Sequence, residues 1–386
     1  MTTTDAAPAP VGRRFALFDS LRGAAALAVM GNHIGFHSGA EAYAWGGFLA
    51  HLNVGVTLFF LLSGFLLYRP YACAVAGRAA PPAIAVYARN RALRIVPAYW
   101  VALSVCAAAG LVQGVLTREW WVYYGFAQSF RSRWIWGGIG PAWSLSTEVS
   151  FYALLPLLGA LVIRIARVPS PSARVIRQVV LFAVLGLCGL VFRTYSLGTP
   201  LAEFNQTVVS LFLWFSVGML LAVAHTSQDG HAGTSRFLRW ITRHPAAPWL
   251  VAAGWYCVMS LLPAFPRSFQ GSYTRLTFAA EHVLLATIAL LLMLPAVFGE
   301  TAGGFPRRLL ASATLTWLGE ISYGIFLWHE PVVIALSRHG GTGWIPGWPL
   351  LSLALASLPP VLILAWLSHR FVEQPALRFK NRLPFS

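Results

Sequence analysis

"FDSLRGAAALAVMGNHIGFH", Phe18 to His37, is the stretch on which the reading of the chain turns. It has the length of a membrane-crossing helix, which needs about 20 mostly apolar residues at about 1.5 Å each. Inside its apolar run it nevertheless carries Arg22 and His33. A central arginine costs about 2.5–3.5 kcal/mol on insertion scales, so a helix that only had to span would not keep one. Eleven positions are about three helical turns, so both side chains project from one face, roughly 16 Å apart along the axis.

Composition places the rest of the chain in the same solvent. Of 386 residues, 57% are hydrophobic and only 10% charged, where soluble domains carry about 25% charged residues. Apolar runs of about 20 residues recur near 16–37, 52–69, 95–114, 146–164, 177–195, 206–224, 248–264, 278–298, 314–336 and 349–369. They predict an all-α polytopic bundle of about ten transmembrane helices, each closing its own backbone hydrogen bonds. The expected organisation is a disordered tail over 1–13, one membrane domain over 14–375 and a short tail over 376–386. "GRRFALF" is twin-arginine-like, but no cleavage site follows it, so the first helix is expected to stay attached.

The net charge is +16. The arginines fall in short segments between apolar runs and make no basic stripe among exposed aromatics, which argues against nucleic acid. Counted by alternate segments, twenty of the 28 Lys and Arg lie on the side of both termini, seven lie opposite, and Arg22 lies within the membrane. The positive-inside rule then predicts two cytoplasmic termini in the cell membrane, with lipids as the surrounding partners. Cys73, Cys106, Cys188 and Cys257 show no metal or redox spacing and read as inert buried thiols.

Other polar groups recur at matching depths. "GPAWSLSTEVSFYALLP" puts Glu148 inside the outer end of the fourth run, and "ISYGIFLWHEPVV" puts His329 and Glu330 in the outer half of the ninth, so His33 has candidate partners. At the mouth of the third run "YARNRALRIVPAYW" clusters Arg89, Arg91 and Arg94, with Arg91 and Arg94 able to converge. Membrane anchoring accounts for such a cluster, and so does an anionic ligand gripped by guanidinium forks. Arg22 likewise reads either as a snorkelling side chain or as part of that grip.

His33 and His37 have metal-friendly i,i+4 spacing, but the sequence offers no obvious third ligand, and no metal is expected. Ser63, Ser144 and Ser146 lack a nucleophile-elbow context and read as helix-packing hydroxyls. The connection from Thr117 to Trp143, "TREWWVYYGFAQSFRSRWIWGGIGPAW", is dense in Trp and Tyr. It reads as an interfacial aromatic belt or as a lid over an acceptor.

At these residues the sequence resembles acyltransferase family 3. "LRGAAALAVMGNH" resembles the family's arginine, ten residues, histidine motif. "NVGVTLFFLLSGFLL", "RALRIVPAYW", "WSLSTEVSFY", "ISYGIFLWH" and "VEQP" resemble its later signatures, in order. The resemblance implies acyl transfer, commonly of acetyl, from cytosolic acyl-CoA as donor co-substrate to a hydroxyl of an extracytoplasmic glycan, glycolipid or secondary metabolite. It implies His33, Glu148 and Arg22 as catalytic residues, and Arg22, Arg91 and Arg94 as the donor-binding set. Trp143, Tyr323 and His329 become the acceptor-binding candidates.

Thr57 departs from the pattern, which often has an acid there, and the bundle is expected to carry the chemistry without an appended hydrolase-like domain. In the implied mechanism His33 is the base or an acyl relay, and Glu148 orients it or stabilises its cation. A transporter or flippase of a lipid-linked glycan is the alternative, because intramembrane Arg, His and Glu also line transport pathways.

Overall fold

The computed structural model describes residues 15–228, 236–267, 272–298 and 303–379. The expected tail over 1–13 and most of that over 376–386 lie outside the described residues. The described residues are helical, with no strand among them. The main helices are α1 (Ala16–His37), α2 (Val54–Val75), α3 (Ile84–Ala108), α4 (Ala142–Ile165) and α5 (Pro171–Ser196), followed by α6 (Phe212–Gln228), α7 (Ala246–Leu261), α8 (Arg275–Val297), α9 (Ser322–Arg338) and α10 (Pro349–Ser368).

Among the described residues, six helical stretches are long and apolar enough to cross a membrane: Gly47–Val75, Ile84–Ala108, Ala142–Ile165, Pro171–Ser196, Arg275–Val297 and Pro349–Phe379. The chain is thus a multi-pass membrane protein. α6 and α7 are apolar but shorter, and α1 is diluted by its own polar side chains, Asp19, Arg22, Asn32, His33 and His37. The ninth apolar run is divided at Ile321 into a short helix, Ala313–Glu320, and α9.

Glycines let the helices that carry the site approach closely. A Cβ on Gly218 of α6 would strike the Leu61 carbonyl of α2, and one on Gly64 of α2 would strike the Phe215 carbonyl of α6. The same reciprocity joins α1 to the short helix, where Gly23 faces the Leu318–Gly319 backbone and Gly319 faces the Asp19 carbonyl. Such small-residue contacts suit membrane helices, whose association gains little from the hydrophobic effect. Beside the α2–α6 crossing, Phe151 stacks on Phe215 at 4.0 Å and Phe60 on Phe215 at 4.7 Å, all buried.

The charged segments sort to two ends. α3 begins among Arg89, Arg91 and Arg94, and α4 ends at Arg164 and Ile165, which defines an arginine-rich end. α1 ends at His37 and α4 begins at Ala142 at the opposite, histidine end. There the aromatic connection folds into the short helices Trp120–Tyr124, Gln128–Phe130 and Ser132–Ile135. The buried Gln128 amide ties it down by donating to the Tyr99 hydroxyl and the Ala142 carbonyl, both at 3.1 Å. Among the four cysteines, Cys73 and Cys106 are buried as expected, whereas Cys188 and Cys257 are exposed on helix surfaces.

Candidate active site

α1 is unbroken from Arg22 to His33, so the two groups stand on one face about 16 Å apart along it. They open into different cavities. Arg22 lines a cavity toward the arginine-rich end, with Arg91 and Arg94 of α3, Ser63 of α2, and Glu148 and Tyr152 of α4. Three guanidiniums there face one carboxylate. Arg22 is held by Asp19, one turn before it, at 3.0 Å. Glu148 accepts a hydrogen bond from Ser63, and the Tyr152 hydroxyl joins the same cluster.

His33 lines the second cavity, together with Asn32, Trp136, Trp143, Glu281 and His282. Its Nδ1 lies 3.2 Å from the Glu330 carboxylate. Glu330 is buried, and Gly140 of the aromatic connection leaves it room, since a Cβ there would strike its carboxylate. His329 stands edge to face with His33 at 5.0 Å between ring centroids. Its Nδ1 lies 3.0 Å from the Ile325 carbonyl, while its buried Nε2 has no protein partner.

The wall between the cavities is about one helical turn thick. On α2, Val56 faces the histidine cavity and Phe59 the arginine cavity; on α4, the adjacent Trp143 and Ser144 divide the same way. Phe59 and Phe326 approach to 6.3 Å between ring centroids in this wall. The one face of α1 that carries Arg22 and His33 thus borders two chambers with an aromatic partition between them.

The predicted residues therefore separate into two groups. Arg22, Arg91 and Arg94 share one cavity, as their spacing suggested. Glu148 shares it too and is bonded to Ser63, so it is not the carboxylate on His33; Glu330 fills that position, because α9 rather than α4 packs its acid against α1. Trp143 does line the histidine cavity. Tyr323 does not: it faces the arginine cavity, with its hydroxyl donated to the Ile95 carbonyl at 2.8 Å. His329 lines neither chamber and backs His33 instead.

Ser144 and Ser146 donate to the Pro141 and Phe126 carbonyls, as packing hydroxyls do. Thr57 is buried with its hydroxyl unpartnered, so no acid stands at that point of α2.

The sequence reading missed one group altogether. Glu281 and His282, on α8, are buried against the histidine cavity. Glu281 is hydrogen-bonded by Tyr273 and Asn53 and lies within the field of Arg193. His282 stacks on Trp214 at 4.3 Å, and neither of its ring nitrogens has a protein partner. The signal was present, an adjacent Glu and His within an apolar run, and is of the same kind that exposed Arg22 and His33.

A helical membrane protein with an arginine-lined chamber at one end and a histidine–carboxylate pair in a chamber at the other is the class that fold and site define. An acyltransferase domain family model matches residues 15–370, and the chain belongs to acyltransferase family 3. It is similar to Nodulation protein 10 of Rhizobium leguminosarum bv. viciae, 26% identical over 95% of this chain and 94% of that one. It is also similar to the peptidoglycan O-acetyltransferase OatA of Listeria monocytogenes, 25% identical over 92% of this chain but only 55% of that protein. The chain thus spans about half the length of the latter. No solved structure matches it.

Proposed function

We propose that this protein is an O-acyltransferase of the cell membrane. It takes an acyl group, acetyl in the simplest case, from acyl-CoA at the arginine cavity and transfers it to a hydroxyl held in the histidine cavity. The observation that carries the reading is the division of labour along α1: an anion-attracting chamber at Arg22 and a base–carboxylate pair at His33. Its relationship to a peptidoglycan O-acetyltransferase supports a glycan or glycolipid hydroxyl as acceptor, ahead of a secondary metabolite.

The ten main helices and the arginine asymmetry support a reading of ten spans with both termini, and the arginine-rich end, in the cytosol. In that orientation the guanidiniums of Arg22, Arg91 and Arg94 fit the phosphates of a cytosolic CoA, for which planar forks are well suited. The histidine cavity, about 220 Å³, is below the roughly 300–1,000 Å³ of drug-sized ligand sites and suits one sugar-sized group at a time. Its Trp faces and free polar edges, His282 among them, suit a ring bearing hydroxyls.

The chemistry follows from the tautomer. With Nδ1–H donated to Glu330, Nε2 of His33 carries the lone pair and accepts the proton of the acceptor hydroxyl. The oxygen attacks the thioester carbonyl, the C–S bond breaks, and His33 returns its proton to the leaving thiolate, so the enzyme ends as it began. Transfer requires the Phe59–Phe326 partition to part, because the donor carbonyl must reach His33.

The decisive experiment incubates the purified protein in lipid vesicles with radiolabelled acetyl-CoA and envelope lipid extract. Wild type should label a lipid-linked or glycan product, and His33→Ala should label none while inserting normally. Arg22→Ala should chiefly raise the apparent KM for acetyl-CoA. Full activity of His33→Ala, or cargo moved across the bilayer without acylation, refutes the proposal.

A further inference from the structure

α1 presents two imidazoles one turn apart, and folding adds what the sequence lacked, a third ligand from another helix. Nitrogens of His33 and His37 and a carboxylate oxygen of Glu330 all lie within 4.8 Å of one another. We propose that His33, His37 and Glu330 form a binding site for a zinc-like divalent transition-metal cation, and that occupancy of this site switches acyl transfer off.

A tetrahedral ion with ligand bonds of about 2.0–2.2 Å needs ligand atoms about 3.3 Å apart. His33 Nδ1 and the Glu330 carboxylate already stand at 3.2 Å. His37 is half-buried at the helix end, and its ring nitrogen already stands within 4.8 Å of the other two ligand atoms. Two imidazoles and one carboxylate select borderline metals over magnesium or calcium, which prefer oxygen alone.

A second carboxylate adds to the local field. Glu41, just beyond α1, is buried with neither oxygen partnered, close enough for His33 to act on its charge. Burial pushes its carboxyl up to about 7, and a bound dication would favour its ionised form. Arg338, at the end of α9, is the opposing cation acting on His37, against the larger influence of Glu330.

The inhibitory half rests on His33 as the base; the site itself does not. A metal on Nδ1 leaves the ring proton on Nε2, the atom that must accept the acceptor's proton. His37 touches no reacting atom in the proposed mechanism, so it separates metal binding from catalysis.

The test titrates Co²⁺ into the purified protein in detergent, follows its visible ligand-field absorption, displaces it with Zn²⁺, and measures radiolabelled acetyl transfer with Zn²⁺ and with Zn²⁺ plus EDTA. Wild type should give a saturable band that Zn²⁺ removes, and inhibition that EDTA reverses. His37→Ala should lose the band, keep metal-free transfer at the wild-type rate, and need at least ten-fold more Zn²⁺ for half-inhibition. His37→Asp, which restores a ligand, should recover the band.

No saturable band in wild type, or an equal band in His37→Ala, overturns the site. A band that depends on His37 while transfer is indifferent to Zn²⁺ supports the site and overturns the switch, and with it the role of His33 as base.

Discussion

At the scale of single residues, the contact between His33 Nδ1 and Glu330 at 3.2 Å decides the chemistry. Glu330→Gln keeps the shape but offers the ring an amide, which can hold the wrong tautomer. Its kcat should fall on the order of 10²–10⁴-fold with acetyl-CoA KM little changed, and steady-state kinetics over a range of donor concentration checks both. Glu41 lends itself to a test by pH. Burial raises its carboxyl from 4.5 to about 7 in the folded protein, so between those values the folded state binds more protons than the unfolded one. Stability should therefore be greatest in acid with respect to this group and fall as pH rises from about 4.5 to 7. Glu41→Gln should flatten that part of a thermal-midpoint profile, and an unchanged slope would remove Glu41 from the account. Arg22, His33 and Glu330 were legible in the sequence because an ionisable group in an apolar run is costly enough to stand out. The pairing of His33 with Glu330 rather than Glu148 was not, because it depends on how α9 and α4 are rotated about their own axes, and both acids lie at depths compatible with His33.

Elements were legible wherever apolarity ran unbroken, and less so where packing set the boundaries. Each of the ten apolar runs falls on a helix, but the break at Ile321 arises where Gly319 seats against the Asp19 carbonyl, a tertiary contact with no local marker. The crossing of α2 and α6 makes the packing argument testable. Gly218→Ala places a methyl group on the Leu61 carbonyl, whereas Gly254→Ala on α7 meets open space. Gly218→Ala should cost about 1–3 kcal/mol by overpacking and lower the thermal midpoint in detergent. Gly254→Ala should leave the midpoint unchanged or raise it slightly, since alanine favours a helix over glycine by about 0.5–1 kcal/mol. Equal midpoints for the two variants would show that the α2–α6 approach is not limited by these glycines.

For the whole molecule the argument rests on direction: the arginine cavity faces the donor's compartment only if the arginine-rich end is cytoplasmic. Charge carries this orientation, with twenty of the 28 Lys and Arg on the side of the termini. Two exposed positions report it, Arg118 in the aromatic connection at the histidine end and Ser172 at the start of α5 at the arginine-rich end. In a background with the exposed Cys188 and Cys257 changed to serine, Arg118→Cys should react with a membrane-impermeant maleimide on intact cells. Ser172→Cys should react only after permeabilisation. The reverse pattern would put Arg22, Arg91 and Arg94 on the side that lacks acyl-CoA, and the three guanidiniums would need a different anion. With the expected pattern, the 16 Å between Arg22 and His33 becomes the distance over which an acyl group is handed from the cytosolic side of the bilayer to a hydroxyl near its outer face, and a short aromatic wall on α2 and α9 is what the donor has to pass.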